Sequence, residues 1–98
     1  MLGRFRRINN TSKQNISYTP IHNSNWVKGE VDGREYQAKL YDEGSMFGID
    51  GGRISKLWVD GLCHYDRGWD DEPREEHQET FNKLVDFLEN RPKRSWLK

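Results

Sequence analysis

Three dipeptides constrain this chain more than any other feature. Asp32-Gly33, Gly51-Gly52 and Asp60-Gly61 each stand between runs rich in β-branched and aromatic residues. Such pairs read as two-residue hairpin turns, whose central residues need positive φ. "WVKGEV" and "REYQAKLY" flank the first. "MFGID" and "RISKLWV" flank the second, and "LCHY" follows the third. Asp42-Glu43-Gly44-Ser45 adds a short hairpin loop between the second and third predicted strands. Glycines thus fall where an antiparallel meander must turn. Gly48 is the exception, placed mid-strand, where a bulge or a close backbone approach is expected.

Register follows from the turns. A two-residue loop at Asp32-Gly33 pairs Val31 with Arg34, Gly29 with Tyr36 and Val27 with Ala38. One face then holds Val27, Val31, Tyr36, Ala38 and Leu40, and Tyr36 covers the bare backbone of Gly29. Carrying two-residue turns along the chain sets Tyr41 opposite Met46, Met46 beside Leu57, and Leu57 beside His64. Phe47, Ile49, Ile54, Trp58 and Tyr65 join the first face, with Lys56 as its misfit. The second face keeps Tyr41, Met46, Leu57, Val59, Leu62 and His64, with Trp26, Lys28 and Lys39 nearby. An uncovered apolar patch of that kind marks an interface. Its expected occupants are a partner protein, a second copy of the chain, or the segment "ISYTP" from Ile16, which also reads as an edge strand ended by Pro20.

After Trp69 the period changes. Pro73 suits a first helical turn, with Asp71 or Glu72 as cap. Phe81, Leu84, Val85 and Leu88 recur at helical spacing, and Arg91-Pro92 ends the run. The fold class is therefore α+β: an antiparallel β-meander of four to five strands from about Trp26 to Tyr65. One C-terminal helix, about Pro73 to Asn90, packs on one face.

With 98 residues the chain is one domain. Residues 1–24 read as a flexible basic arm, 25–90 as the domain and 91–98 as a basic tail. Net charge is zero but segregated: the arm carries Arg4, Arg6, Arg7 and Lys13 with no acid, while Asp70 to Asn90 holds eight acids against Arg74 and Lys83. Basic residues near an aromatic, as with Lys93, Arg94 and Trp96, suit nucleic acid. Arg4, Arg6, Arg7, Lys93 and Arg94 are thus candidate phosphate contacts. The single cysteine, Cys63, allows no internal disulfide, and "MLGRFRRINN" has no apolar core of a signal peptide. A cytoplasmic protein with no membrane span is expected.

Catalytic and cofactor chemistry finds no pattern. Gly52 is followed by Arg53 and Ile54, not by the Lys-Ser/Thr of a phosphate loop. The glycines lead into a strand, not the helix of a dinucleotide site. His22, Cys63, His64 and His77 match no zinc spacing, and adjacent Cys63 and His64 point to opposite faces of a strand. "DEGSMFGIDGGR" puts Met46 and Gly48 where calcium ligands should stand. No catalytic residue, cofactor or metal is assigned. "HYDRGWD", His64 to Asp70, joins the last strand to the helix. Arg67 and Trp69 there are either a sheet-to-helix corner or an exposed binding anchor.

"WVKGEVDG", "YDEGSMFGIDGGRISKLWV" and "YDRGWD" resemble strings of a small family found in phages and conjugative elements of Gram-positive bacteria. The likeness spans about Trp26 to the helix. It implies an accessory protein of a mobile element, acting in the host cytoplasm, and carries over no catalytic residue. The resulting expectation is a non-enzymatic adaptor or inhibitor that binds a host or element protein, or a homodimer. Its contacts would be Trp26, Tyr41, Met46, Leu57, Val59, Leu62, His64, Arg67 and Trp69. The alternative is nucleic-acid binding through the basic termini.

Overall fold

The computed structural model describes residues 15–93. Six antiparallel strands lie in sequence order: β1 (Thr19–Pro20), β2 (Trp26–Val31), β3 (Arg34–Leu40), β4 (Ile54–Val59), β5 (Cys63–Asp66) and β6 (Trp69–Asp71). Among the described residues one α-helix, α1 (Gln78–Glu89), follows a 3-10 turn at Glu75–His77. The meander-plus-helix architecture agrees with the sequence reading, with six strands where four to five are expected. No helix among the described residues is long and apolar enough to cross a membrane.

The first hairpin has the predicted register: Val31 pairs with Arg34, Gly29 with Tyr36 and Val27 with Ala38. Asp32 and Gly33 have φ of 51° and 82°, the type I′ turn that matches strand twist. What covers Gly29 is the backbone carbonyl of Ser17, which a side chain at Gly29 would strike. The Tyr36 hydroxyl donates to that same carbonyl at 2.8 Å. The Ser17 hydroxyl takes over the ladder bond, accepting from the Glu30 amide at 2.8 Å. Ile16 bridges to Val31, so the sheet takes in part of the stretch assigned to the arm. "ISYTP" is an edge segment, with Ile16 and Tyr18 packed against the core on the helix side.

The third predicted strand, "MFGID", is not a strand. Residues 41–53 form a coiled loop containing a 3-10 turn at Ile49–Gly51, and β3 pairs directly with β4. Gly48 is the physical reason: a side chain there would collide with the carbonyl of Gly52, which the loop folds back to meet. Removing that strand reverses β4 from Lys56 to Val59, while Ile54, Tyr65 and His64 keep the faces expected of them. Ala38 now lies opposite Leu57 and Tyr36 opposite Val59. Leu57, Val59 and Leu62 are therefore core residues, not an exposed patch, while Trp58 and Lys56 turn outward. Phe47 also leaves the core, but Ile49, Ile54 and Tyr65 are buried as expected.

The Asp60-Gly61 turn differs too. Only Gly61 has positive φ (68°), a type II arrangement, and the Leu62 amide donates to the Val59 carbonyl at 2.9 Å. The ladder resumes with Cys63 opposite Val59, so His64 faces Trp58 and not Leu57.

Beyond β5 the chain pairs once more, Tyr65 with Trp69 and His64 with Asp71. Asp71 is thus extended strand and caps nothing. The chain from Glu72 to Arg74 crosses from the sheet to its face, and α1 begins at Gln78 rather than near Pro73. Phe81, Leu84 and Leu88 then join Val27, Val31, Ala38, Leu40, Ile54 and Leu57 in one buried cluster.

Candidate binding surfaces

The loop between β3 and β4 is wired to the end of α1 by one side chain. Arg53 Nη1 donates to the carbonyls of Glu89 (2.9 Å) and Arg91 (2.7 Å), and Nε donates to the Tyr41 carbonyl (2.8 Å). The Arg53 amide donates to the Glu89 carboxylate at 2.8 Å. A guanidinium at a helix C-terminus meets unpaired carbonyls and the negative end of the dipole. Inside the loop, Gly48 N donates to Ser45 O, Phe47 N to Ser45 Oγ, and the Tyr65 hydroxyl to the Phe47 carbonyl. Ile49 anchors it in the core.

This fixed loop presents two large apolar side chains to water. Met46 is 87% exposed and Phe47 51%. Beside them a depression of about 350 Å³ is walled by Lys39, Tyr41, Lys56 and Arg67. The Lys39 amine sits 5.6 Å from the Tyr41 ring centre, within cation–π range.

The face of the sheet opposite α1 forms a second surface. Register sets Thr19, Lys28, Gln37, Trp58, His64 and Asp71 in one row across all six strands. Trp26, Lys39, Lys56 and Asp66 form the adjacent row. A depression of about 280 Å³ lies between Trp26 and Trp58, with Gln37, Lys56 and His64 in its walls. Asp66 is bridged by Lys56 at 3.7 Å and Arg67 at 3.4 Å, and His64 Nδ1 lies 3.3 Å from Asp70.

The predicted contact residues therefore separate. Trp26 and His64 lie on the open face, Tyr41 and Met46 on the loop, and Arg67 at its border. Leu57, Val59 and Leu62 are interior. Trp69 faces the helix side, edge-on to Tyr65 at 4.9 Å and against Phe81 at 5.5 Å, so it forms no joint anchor with Arg67. Trp58 and Phe47 were missed. Continuing the Ala38 alternation straight into "ISKLWV" finds Trp58. Of the predicted phosphate contacts, Arg4, Arg6, Arg7 and Arg94 lie outside the described residues. Lys93 is bonded to Glu43 at 2.6 Å.

Cys63 and His64 do point to opposite faces, with the thiol buried and pushed up to about 11 by desolvation and then by the Asp71 charge. Among the described residues no three His, Cys, Asp or Glu side chains are placed to share a metal ion.

Comparison with curated proteins and with solved structures finds no match. One family model does match, that of a domain of unknown function, DUF7678, over residues 25–89. Its span runs from just before β2 to the last residue of α1, so the chain belongs to the DUF7678 family.

Proposed function

We propose that this chain is a non-enzymatic accessory protein of a phage or mobile element, working in the bacterial cytoplasm as an adaptor or inhibitor. It docks a partner protein on the loop that carries Met46 and Phe47. The observation behind this reading is the pairing of order with exposure. A loop tied down by Arg53, Ser45 and Tyr65 holds two apolar side chains in solvent. Rigid apolar anchors cost little entropy on binding, and a polar rim of Lys39, Lys56 and Arg67 surrounds them.

The test is recovery of partners from host cells with the full chain as bait, read by mass spectrometry. Met46→Ser with Phe47→Ser should keep the melting temperature and lose a protein that the unaltered chain recovers. Identical recoveries from the two baits would overturn the reading. Sedimentation velocity separates a second copy of the chain from a foreign partner.

A further inference from the structure

We propose that the open face of the sheet binds single-stranded nucleic acid. Bases stack on Trp26 and Trp58, and phosphates lie on Lys28 and Lys39. This surface adjoins the Met46–Phe47 loop and shares Lys39 and Lys56 with its rim, but the proposal does not rest on that reading.

Charge is the first argument. The chain has no net charge, and the open face gathers its lysines into one stripe. The helix side carries Glu75, Glu76, Glu79, Asp86 and Glu89. The open face carries Lys28, Lys39 and Lys56 on three successive strands. Of its acids, Asp66 is already held by Lys56 and Arg67. Glu30 and Glu35 face each other toward the Asp32–Gly33 tip, and the last strand brings Asp71 and, against His64, Asp70. The basic part is thus a short stripe with acidic margins. A stripe of that length suits a few flexible nucleotides. A duplex would press its second strand against the margins.

Aromatic placement is the second argument. Trp26 stands directly across from Lys39, and Trp58 lies across from Gln37, which itself lies across from Lys28. Each tryptophan therefore has a lysine within one or two strands, the spacing at which a base can stack while its phosphate meets an amine. Single-strand binders combine these two elements, because every base has a π-face and every nucleotide a charge. Trp58 is 37% exposed, enough to offer an edge and part of a face to the depression it shares with Trp26. The Gln37 amide and the His64 imidazole flank Trp58 in the same row and supply donors and acceptors for base edges.

The test uses the full chain and fluorescein-labelled dT12, U12 and a duplex of the same length, followed by anisotropy and tryptophan quenching. The single strands should bind and quench, and the duplex should bind more weakly. Two lysines on phosphates give a salt slope of about −1.4, roughly a sevenfold loss between 50 and 200 mM salt. Trp58→Ala should weaken binding about tenfold or more, and Trp58→Phe should restore part of it. Lys28→Glu with Lys39→Glu should abolish it; these side chains are at the surface, so this arm holds even if Trp58→Ala unfolds. Met46→Ser with Phe47→Ser should bind as the unaltered chain does. No anisotropy change at 50 mM salt overturns the proposal. So does tighter binding to duplex, or binding that Trp58→Ala leaves intact and that Arg4→Gln, Arg6→Gln and Arg7→Gln together remove.

Discussion

The hairpin closed by Asp32 and Gly33 and the loop from Tyr41 to Arg53 draw on the same residue types, yet they are held in different ways. The hairpin is held by its own ladder, six matched pairs from Trp26–Lys39 to Val31–Arg34. Its tip gains tertiary ties, Asp32 accepting from Thr80 and Lys83 at 2.8 and 2.7 Å while its amide donates to the Asn15 carbonyl at 3.1 Å. The loop has no ladder of its own. It depends on Arg53 reaching carbonyls at the end of α1, some forty residues further along the chain. A local turn is therefore specified by a dipeptide, whereas a coiled loop is specified by what lies across from it.

The largest effect should come from the face assignment that the loop imposes. Leu57→Asp puts a charge into a site only 1% exposed, and should cost more than about 4 kcal/mol, enough to leave the chain without a cooperative melt. Met46→Asp in the solvated loop should leave the melt within about 0.5 kcal/mol. Two similar melts would mean that β4 has the other face inward.

Arg53→Ala comes next. It strands the Glu89, Arg91 and Tyr41 carbonyls, for a loss of about 2–4 kcal/mol. Hydrogen exchange should speed up at the Ser45, Gly48 and Gly52 amides and stay slow in β2 and β3. Equal acceleration in both would erase the distinction between the two regions.

The smallest effect belongs to the hairpin tip. Burial opposes ionisation of Asp32, but hydrogen bonds from Lys83 and Thr80 outweigh it and hold the carboxyl below its ordinary value. The folded value being the lower one, its contribution is present above about pH 4, the unfolded value, and fades as pH falls through the folded one. Asp32→Asn keeps a residue that tolerates positive φ and should cost about 1 kcal/mol at neutral pH. In the variant, stability should fall less between pH 5 and pH 3, as denaturant melts would show.

Most of the sheet and the helix core could be read from residue patterns. Val27, Val31, Tyr36, Ala38 and Leu40 alternate around a turn whose type is nearly forced. Phe81, Leu84 and Leu88 leave only one helix face to bury. The reading fails between Tyr41 and Leu62, where register is carried through a strand that is not there, although Ile49 and Ile54 are buried as expected. Met46, Phe47 and Ile49 look as apolar as strand residues, and nothing local says that Gly48 must lie against the Gly52 carbonyl. One misplaced strand is enough to turn Leu57 and Val59 outward and to hide Trp58. The candidate surfaces suffered most, since a surface is defined by which face is left over. The expected helix start failed for a related reason. Asp71 looks like a cap, but it pairs with His64 across the sheet.

Ser17 has a consequence for how the protein behaves at high concentration. By lending its hydroxyl to β2 and turning its carbonyl inward to Tyr36, it interrupts the outer strand of the sheet, and Pro20 ends that strand after two paired residues. The opposite border is three residues long and carries Asp70 and Asp71. Among the described residues neither rim offers a long run of paired-strand backbone to a neighbour. Stacking of sheets into fibres is blocked at both borders, so concentrated solutions should stay clear even though Met46, Phe47 and Trp58 are bare.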